Sequence, residues 1–224
     1  MARKELDHEI LLLQDSLLTL GSLAEDAVMR ALDALERRDV SQARAVMEGD
    51  EDANGRRFAI ENGITTTIAT QQPMAHDLRL LLAIFAVANE LERMADYAKG
   101  IAKVTTLLEG VEISLPIRLY REMADKGVSM LHRALSAFVD QNYNVAASIP
   151  REDDEVDHLY LEVFNFVARE MIADASLVPY GNYLIWVAHN LERFADRVSN
   201  ICERTVFIVT GDLLELEVDE GDGE

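Results

Sequence analysis

The sequence predicts an all-α protein built as two copies of one three-helix unit. Three observations predict it. Apolar residues recur at steps of three and four over stretches of about thirty residues. Only four prolines and eleven glycines interrupt 224 residues, too few for many short strands and turns. The motif Leu-Glu-Arg-x-Ala-Asp occurs at 91–96 and again at 191–196.

Leu6, Ile10, Leu13, Leu17, Leu20, Ala24, Ala27, Ala31 and Leu35 define a first helix over about 5–36. Arg37, Arg38 and Asp39 end it, and Asp39 or Ser41 can cap the next helix. The second helix covers about 40–70. Its stretch Ile64-Thr65-Thr66-Thr67-Ile68 is β-branched and favours strand by propensity. Helix is still the reading, because nothing nearby could pair with a lone strand. Gln72-Pro73 marks a turn, with Pro73 suited to the first position of a third helix reaching about Leu108. Residues 110–116 hold both Gly and Pro and form the predicted boundary between the units, 1–110 and 111–210. Helices four, five and six follow at about 116–140, 143–174 and 179–210. The segment 211–224 carries seven acids and no base and reads as a solvated, mobile tail.

The net charge of −20 excludes nucleic acid as a direct ligand, because phosphate binding needs clustered Lys and Arg. Lysine occurs only as Lys4, Lys99, Lys103 and Lys126. Excess acid with scarce lysine suits work at high salt, where screening relieves self-repulsion; an ordinary acidic protein is the alternative. The single cysteine, Cys202, rules out an internal disulfide and fits a reducing compartment. No stretch approaches the roughly 18 apolar residues of a membrane span. The reading is a soluble, cytoplasmic protein, peripheral to a membrane at most.

A shift of 100 residues lays Ala88–Asp96 on Ala188–Asp196 with six of nine positions identical. The match extends to Ile101/Ile201 and Thr105/Thr205, and places Ala34-Leu35 on Ala134-Leu135. A three-residue change then aligns Asp50-Glu51-Asp52 with Asp153-Asp154-Glu155. The halves read as duplicates.

Projected at 100° per residue from Leu91, the core stripe is Leu91, Met94, Ala95, Ala98 and Ile101. Glu92 and Asp96 fall at roughly 100° and 140°, side by side on its flank, and Arg93 at roughly 200°, facing outward. In the second copy His189, Glu192, Asp196 and Glu203 share that flank. Carboxylates at i and i+4 repel each other, and a cation between them relieves the cost. Oxygen ligands with one imidazole suit iron, manganese, zinc or magnesium. Asp153 and Asp157 form another i, i+4 pair on helix five, able to converge with the first. The bland alternative is a solvated acidic face. Cys202, Trp186 and Phe194 read as core, and His8, His76, His132 and His158 have no acid or base partner arguable from spacing. No nucleophile with an attendant base is found.

The segments Gln72-Pro73-Met74-Ala75-His76-Asp77-Leu78-Arg79 and Glu90-Leu91-Glu92-Arg93-Met94-Ala95-Asp96 resemble the PhoU family of phosphate-transport regulators. Asn190-Leu191-Glu192-Arg193-Phe194-Ala195-Asp196-x3-Asn200-Ile201 is similar to that family's second signature. The resemblance covers about residues 5–210. It implies two tandem antiparallel three-helix bundles related by pseudo-twofold symmetry, and a homodimer. It implies a negative regulator of high-affinity phosphate uptake and starvation signalling. Such a regulator acts by protein contact with the phosphate ABC transporter's ATPase subunit and a sensor histidine kinase. It also implies clusters of iron or another divalent or trivalent metal ion on Glu92/Asp96, Glu192/Asp196 and Asp153/Asp157, with Asp50 and Asn54 on helix two. Asn54 departs from the acidic pattern, and Lys99 and Lys103 lie near the first column, which weighs against the first-half site. His189 and Glu203 favour the second.

The leading reading is therefore a non-enzymatic regulator, with Arg93 and Arg193 as candidate partner contacts or as ion-pair partners of nearby acids. The alternative is a carboxylate-rich helical metal-storage protein or metalloenzyme.

Overall fold

The structure, a computed structural model, describes residues 2–216. Seven α-helices form among them: α1 (Ala2–Arg37), α2 (Val40–Gln71), α3 (His76–Leu107), α4 (Ile117–Val139), α5 (Tyr143–Ser148), α6 (Asp153–Ala173) and α7 (Val178–Thr210). Short 3₁₀ turns at Ile149–Glu152 and Ala175–Leu177 flank α6. Of the predicted acidic tail, residues 217–224 lie outside the described residues.

Helices α1, α2 and α3 form one bundle, and α4, the α5–α6 pair and α7 the other. The bundles also pack on each other, α3 against α7 and α1 against α4. Each of these contacts joins equivalent elements of the repeat, as a pseudo-twofold requires. The buried apolar side chains form one continuous core, with Leu17, Leu81, Leu91, Leu184, Leu191 and Phe194 at most 1% exposed. Burying each such side chain stabilises by about 1.5–3 kcal/mol.

The α1–α2 and α4–α5 hairpins turn in the same way. Arg38 (φ 54°) and Gln141 (φ 51°) enter the left-handed region and stop their helices. The N–H of Asp39 donates to Ala34 O at 2.9 Å, and that of Asn142 to Ala137 O at 2.8 Å. Asp39 Oδ1 accepts from the Gln42 N–H at 3.0 Å, and Asn142 Oδ1 from the Val145 N–H at 3.2 Å. These pairs stand 103 residues apart. Ala34 is thus equivalent to Ala137, not to Ala134, and the offset is back at 100 in the signature motif of α7. The Arg38 guanidinium donates to Val111 O at 2.8 Å and Ile113 O at 2.6 Å, pinning the connection between bundles.

Three other expectations change. The third helix begins at His76, after Pro73 and a left-handed Ala75 (φ 48°). The fifth helix is broken: Pro150 lacks an N–H and its ring meets the carbonyl four residues back, so Ile149–Glu152 tightens to 3₁₀ and α6 restarts at Asp153. Trp186 is 41% exposed on the outer face of α7, whereas Phe194 is buried. The β-branched end of α2 is helical to Gln71, with Thr65 and Thr70 hydroxyls donating to Glu61 O and Thr66 O.

Helices α3 and α7 cross in antiparallel fashion. A Cβ on Gly100 would stand 2.8 Å from Asn190 Oδ1, so a larger residue there would have to push the Asn190 side chain aside. At the pseudo-twofold mate of that contact, Glu90 Oε2 accepts from Asn200 Nδ2 at 3.2 Å and Arg197 Nη1 at 3.4 Å.

Candidate functional site

Each repeat brings an acidic pair of its second helical segment beside the Glu/Asp pair of its signature helix. The two results differ. In the first repeat, Asp50 is buried in the interior of α2 and Asn54 lies one turn on. Lys99, reaching from α3, places Nζ 2.7 Å from Asp50 Oδ2 and 3.8 Å from Asp96 Oδ1. The hydrogen bond to Asp50 raises the lysine's pKa. Asn54 turns its amide back on its own helix, donating to Asp50 O at 3.3 Å and Oδ2 at 3.4 Å. Burial raises the pKa of Glu92; the nearby Arg57 and Arg93 oppose that shift and Asp50 and Asp96 add to it. Lys103 is exposed and forms no ion pair among the described residues.

In the second repeat, Asp153 and Asp157 occupy the first turns of α6, facing Glu192 and Asp196 of α7. The break at Pro150 is what places them at a helix N-terminus, where the helix dipole favours negative charge. Burial, and then the carboxylates of Asp196 and Asp157, push Asp153 up to about 7. Asp157 is raised by burial and by Asp196, and Glu192 by burial and by Asp196. Asp153 Oδ1 and Glu192 Oε2 are buried with no hydrogen-bond partner. His189 Nδ1 stands 3.3 Å from Glu192 Oε2 at the exposed rim, outside hydrogen-bond geometry. Arg193 covers the acids from outside, 3.3 Å from Asp196 Oδ2 and 3.7 Å from Glu192 Oε2.

The offsets identify the source of the difference. Asn54 corresponds to Asp157, Arg57 to Tyr160 and Lys99 to Ser199. The second repeat therefore gains one acid and loses two bases. Arg57 had no place in the sequence reading; its position three residues beyond Asn54, on the same helix face, was the available signal.

One predicted ligand falls elsewhere. Glu203 lies two turns beyond Asp196 on α7 and does not join the cluster. Its Oε1 accepts the Leu216 N–H at 3.2 Å, where the described start of the tail packs back on the core; that contact also departs from a freely solvated tail. Arg193 is engaged by Glu192 and Asp196, while exposed Arg93 has no ion pair among the described residues.

Among the described residues, no three His, Cys, Asp or Glu side chains stand in a geometry that could hold a metal ion. The donor chemistry of the second repeat nevertheless fits a cation. Four carboxylates repel one another there, and two of their buried oxygens are unsatisfied. Asp50 Oδ1 in the first repeat is also buried and unpartnered, but the Lys99 ammonium already stands against the other oxygen of that carboxylate, so the first repeat does not fit a metal ion. Cys202 is buried, and burial pushes its thiol up to about 12, so it offers no thiolate.

The family model described as the PhoU domain matches twice, at residues 17–105 and 120–205. The chain belongs to the PhoU domain family. Both matches of the PhoU domain span a signature helix and its acidic column. The phosphate-specific transport system accessory protein PhoU homolog of Clostridium acetobutylicum is 33% identical over 217 residues, 96% of this chain and 99% of that protein. The PhoU protein of Escherichia coli K12 is 31% identical over 208 residues, 92% of this chain and 86% of that one. Two solved PhoU structures share the fold. The phosphate transport system regulatory protein PhoU from Streptococcus pneumoniae superposes with a TM-score of 0.86 at 32% identity, covering 93% of this chain and 99% of its own. PhoU from Pseudomonas aeruginosa gives 0.85 at 29%, covering 92% and 99%. No described helix is long and apolar enough to cross a membrane.

Proposed function

We propose that this chain is a cytoplasmic, non-enzymatic negative regulator of high-affinity phosphate uptake and phosphate-starvation signalling. The observation that carries the reading is the chain-long similarity to proteins described as accessory to phosphate-specific transport, through both repeats. It acts by helix-face contact with the ATPase subunit of a phosphate ABC transporter and with a sensor histidine kinase, and works as a homodimer. The charge of −20 steers it toward basic partner patches. Arg93 is the free arginine of the signature pair and the contact we assign to a partner.

The second repeat holds one divalent or trivalent cation (iron, manganese, zinc or magnesium) through Asp153, Asp157, Glu192 and Asp196, with His189 at its rim. The cation supplies structure and charge balance, and takes over the neutralisation that Arg193 now provides. The rival reading, a storage protein or metalloenzyme, is disfavoured because the carboxylates flank the core and do not line the inside of a four-helix bundle.

Deleting the gene in its host tests the regulatory reading. Phosphate uptake and starvation-gene expression should stay high in phosphate-rich medium; normal repression would count against regulation. Metal analysis of the purified chain beside Glu192→Ala/Asp196→Ala tests the site, and unchanged metal content would sink it.

A further inference from the structure

We infer that the Lys99 ammonium occupies, in the first repeat, the cation position that the second repeat leaves to a metal ion, so each chain takes up metal at the second repeat alone. The inference rests on the metal reading of the second repeat given above.

Four observations carry it. Lys99 Nζ lies 2.7 Å from the buried Asp50 carboxylate and 3.8 Å from Asp96, bridging the two helices whose equivalents would share a metal. The residue equivalent to Lys99 is Ser199, which brings no charge. The other substitutions run the same way: Asn54 withdraws an oxygen donor that Asp157 supplies, and Arg57 adds charge where Tyr160 is neutral. Access does not explain the difference. Asp50 and Lys99 line an open hollow of about 350 Å³ with Arg44, Met47, Glu48 and Glu51, so the first repeat opens to solvent on this side.

Charge explains it. An ammonium on a four-carbon stem is held beside Asp50 at high effective concentration. An incoming metal ion must displace it or bind against its positive charge, with one carboxylate fewer to offer in return. Arg193 also stands against its column, but at the exposed rim, 3.3 Å from Asp196 and 3.7 Å from Glu192, and forms no ion pair with Asp153, whereas Lys99 sits directly on the buried Asp50. The duplicated fold has thus kept two cation positions and filled them by different means, one with its own side chain and one from solution.

The test uses the full chain, stripped with chelator and titrated with manganese(II). Asp153→Asn/Asp196→Asn silences the second repeat and should abolish the uptake shown by the wild-type chain. Adding Lys99→Ser to that double variant should restore binding by about tenfold or more, the scale on which neighbouring groups tune metal sites. Adding Lys99→Arg, which keeps a tethered cation, should restore nothing. Equal manganese(II) binding by the double variant with and without Lys99→Ser overturns the inference, whether both bind or neither does. Failure of the second-repeat reading looks different: wild type and double variant then bind alike, and the Lys99 comparison is still decided by itself. Lys99→Ser in that double variant leaves Asp50 without a cation while the second repeat is silent, so its melting temperature against that of the double variant is read as a second measure. A fall that manganese(II) reverses supports the inference, and a fall that manganese(II) leaves unchanged overturns it.

Discussion

In the first repeat the buried Asp50 meets Lys99 at 2.7 Å; in the second the equivalent Asp153 faces Asp196, Asp157 and Glu192. Both columns are built on the same signature helix, with Leu91 and Leu191 buried behind them and Arg93 and Arg193 exposed in front. The backbone around them differs. Asp50 lies within an unbroken α2, while Asp153 opens α6 after the Pro150 break. A duplicated scaffold can therefore keep its core and change its electrostatics. Core positions are constrained by packing on every side, whereas flank positions are constrained by whichever charges face them.

The largest expected effects test what the repeats share. Leu91→Ala and Leu191→Ala should each cost about 2–5 kcal/mol in denaturant unfolding, because both leave a cavity in the same continuous core. Clearly unequal losses would show that the duplicated cores are not equivalent.

The next effect separates the repeats. Lys99→Met strips the cation from a buried carboxylate. Removing one member of a fully buried pair costs 3–5 kcal/mol, and the partial exposure of Lys99 reduces that to about 1–3 kcal/mol. Ser199→Met should cost much less. Similar urea midpoints for the two variants would break the comparison.

The third effect is a pH dependence. Asp153 stands at about 7 in the folded chain against an ordinary value of 3.8. A raised acid binds its proton more tightly when folded. Its contribution to stability is therefore full below about 4 and is lost as pH rises through about 7. Urea unfolding of the metal-free chain should weaken between pH 5 and 8 by roughly 1–2 kcal/mol more in wild type than in Asp153→Asn, after discounting for solvent screening. An equally steep decline in Asp153→Asn would remove Asp153 as the cause.

The smallest effect lies at the rim. Arg193→Ala breaks two partly exposed ion pairs and should cost less than about 1 kcal/mol in salt-free buffer, and less still at 1 M salt. A larger loss that salt does not reduce would mean that Arg193 packs more than it pairs.

Much of the site was legible along the chain. The i, i+4 spacings placed Glu92/Asp96, Glu192/Asp196 and Asp153/Asp157 on common faces, and the duplicated register pointed to the second column as the more acidic. Lys99 stood out as a charge near the first column. That it reaches Asp50 was not legible, because Asp50 is 49 residues away on another helix. Glu203 was misplaced for the converse reason: spacing puts it on the same face, but α6 lies beside only the upper part of that face, and a backbone N–H claims its carboxylate.

What the sequence determined by itself was periodic or local: the helical segments, a cap at Asp39 or Ser41, the duplicated signature and the acids of each flank. These follow from one residue's relation to neighbours three or four positions away. Tertiary structure alone decided which charges meet. It set Lys99 against Asp50, left Asp153 among carboxylates and brought α3 onto α7 at Gly100. Coulomb and contact energies depend on distances between helices, and those distances come from packing the core.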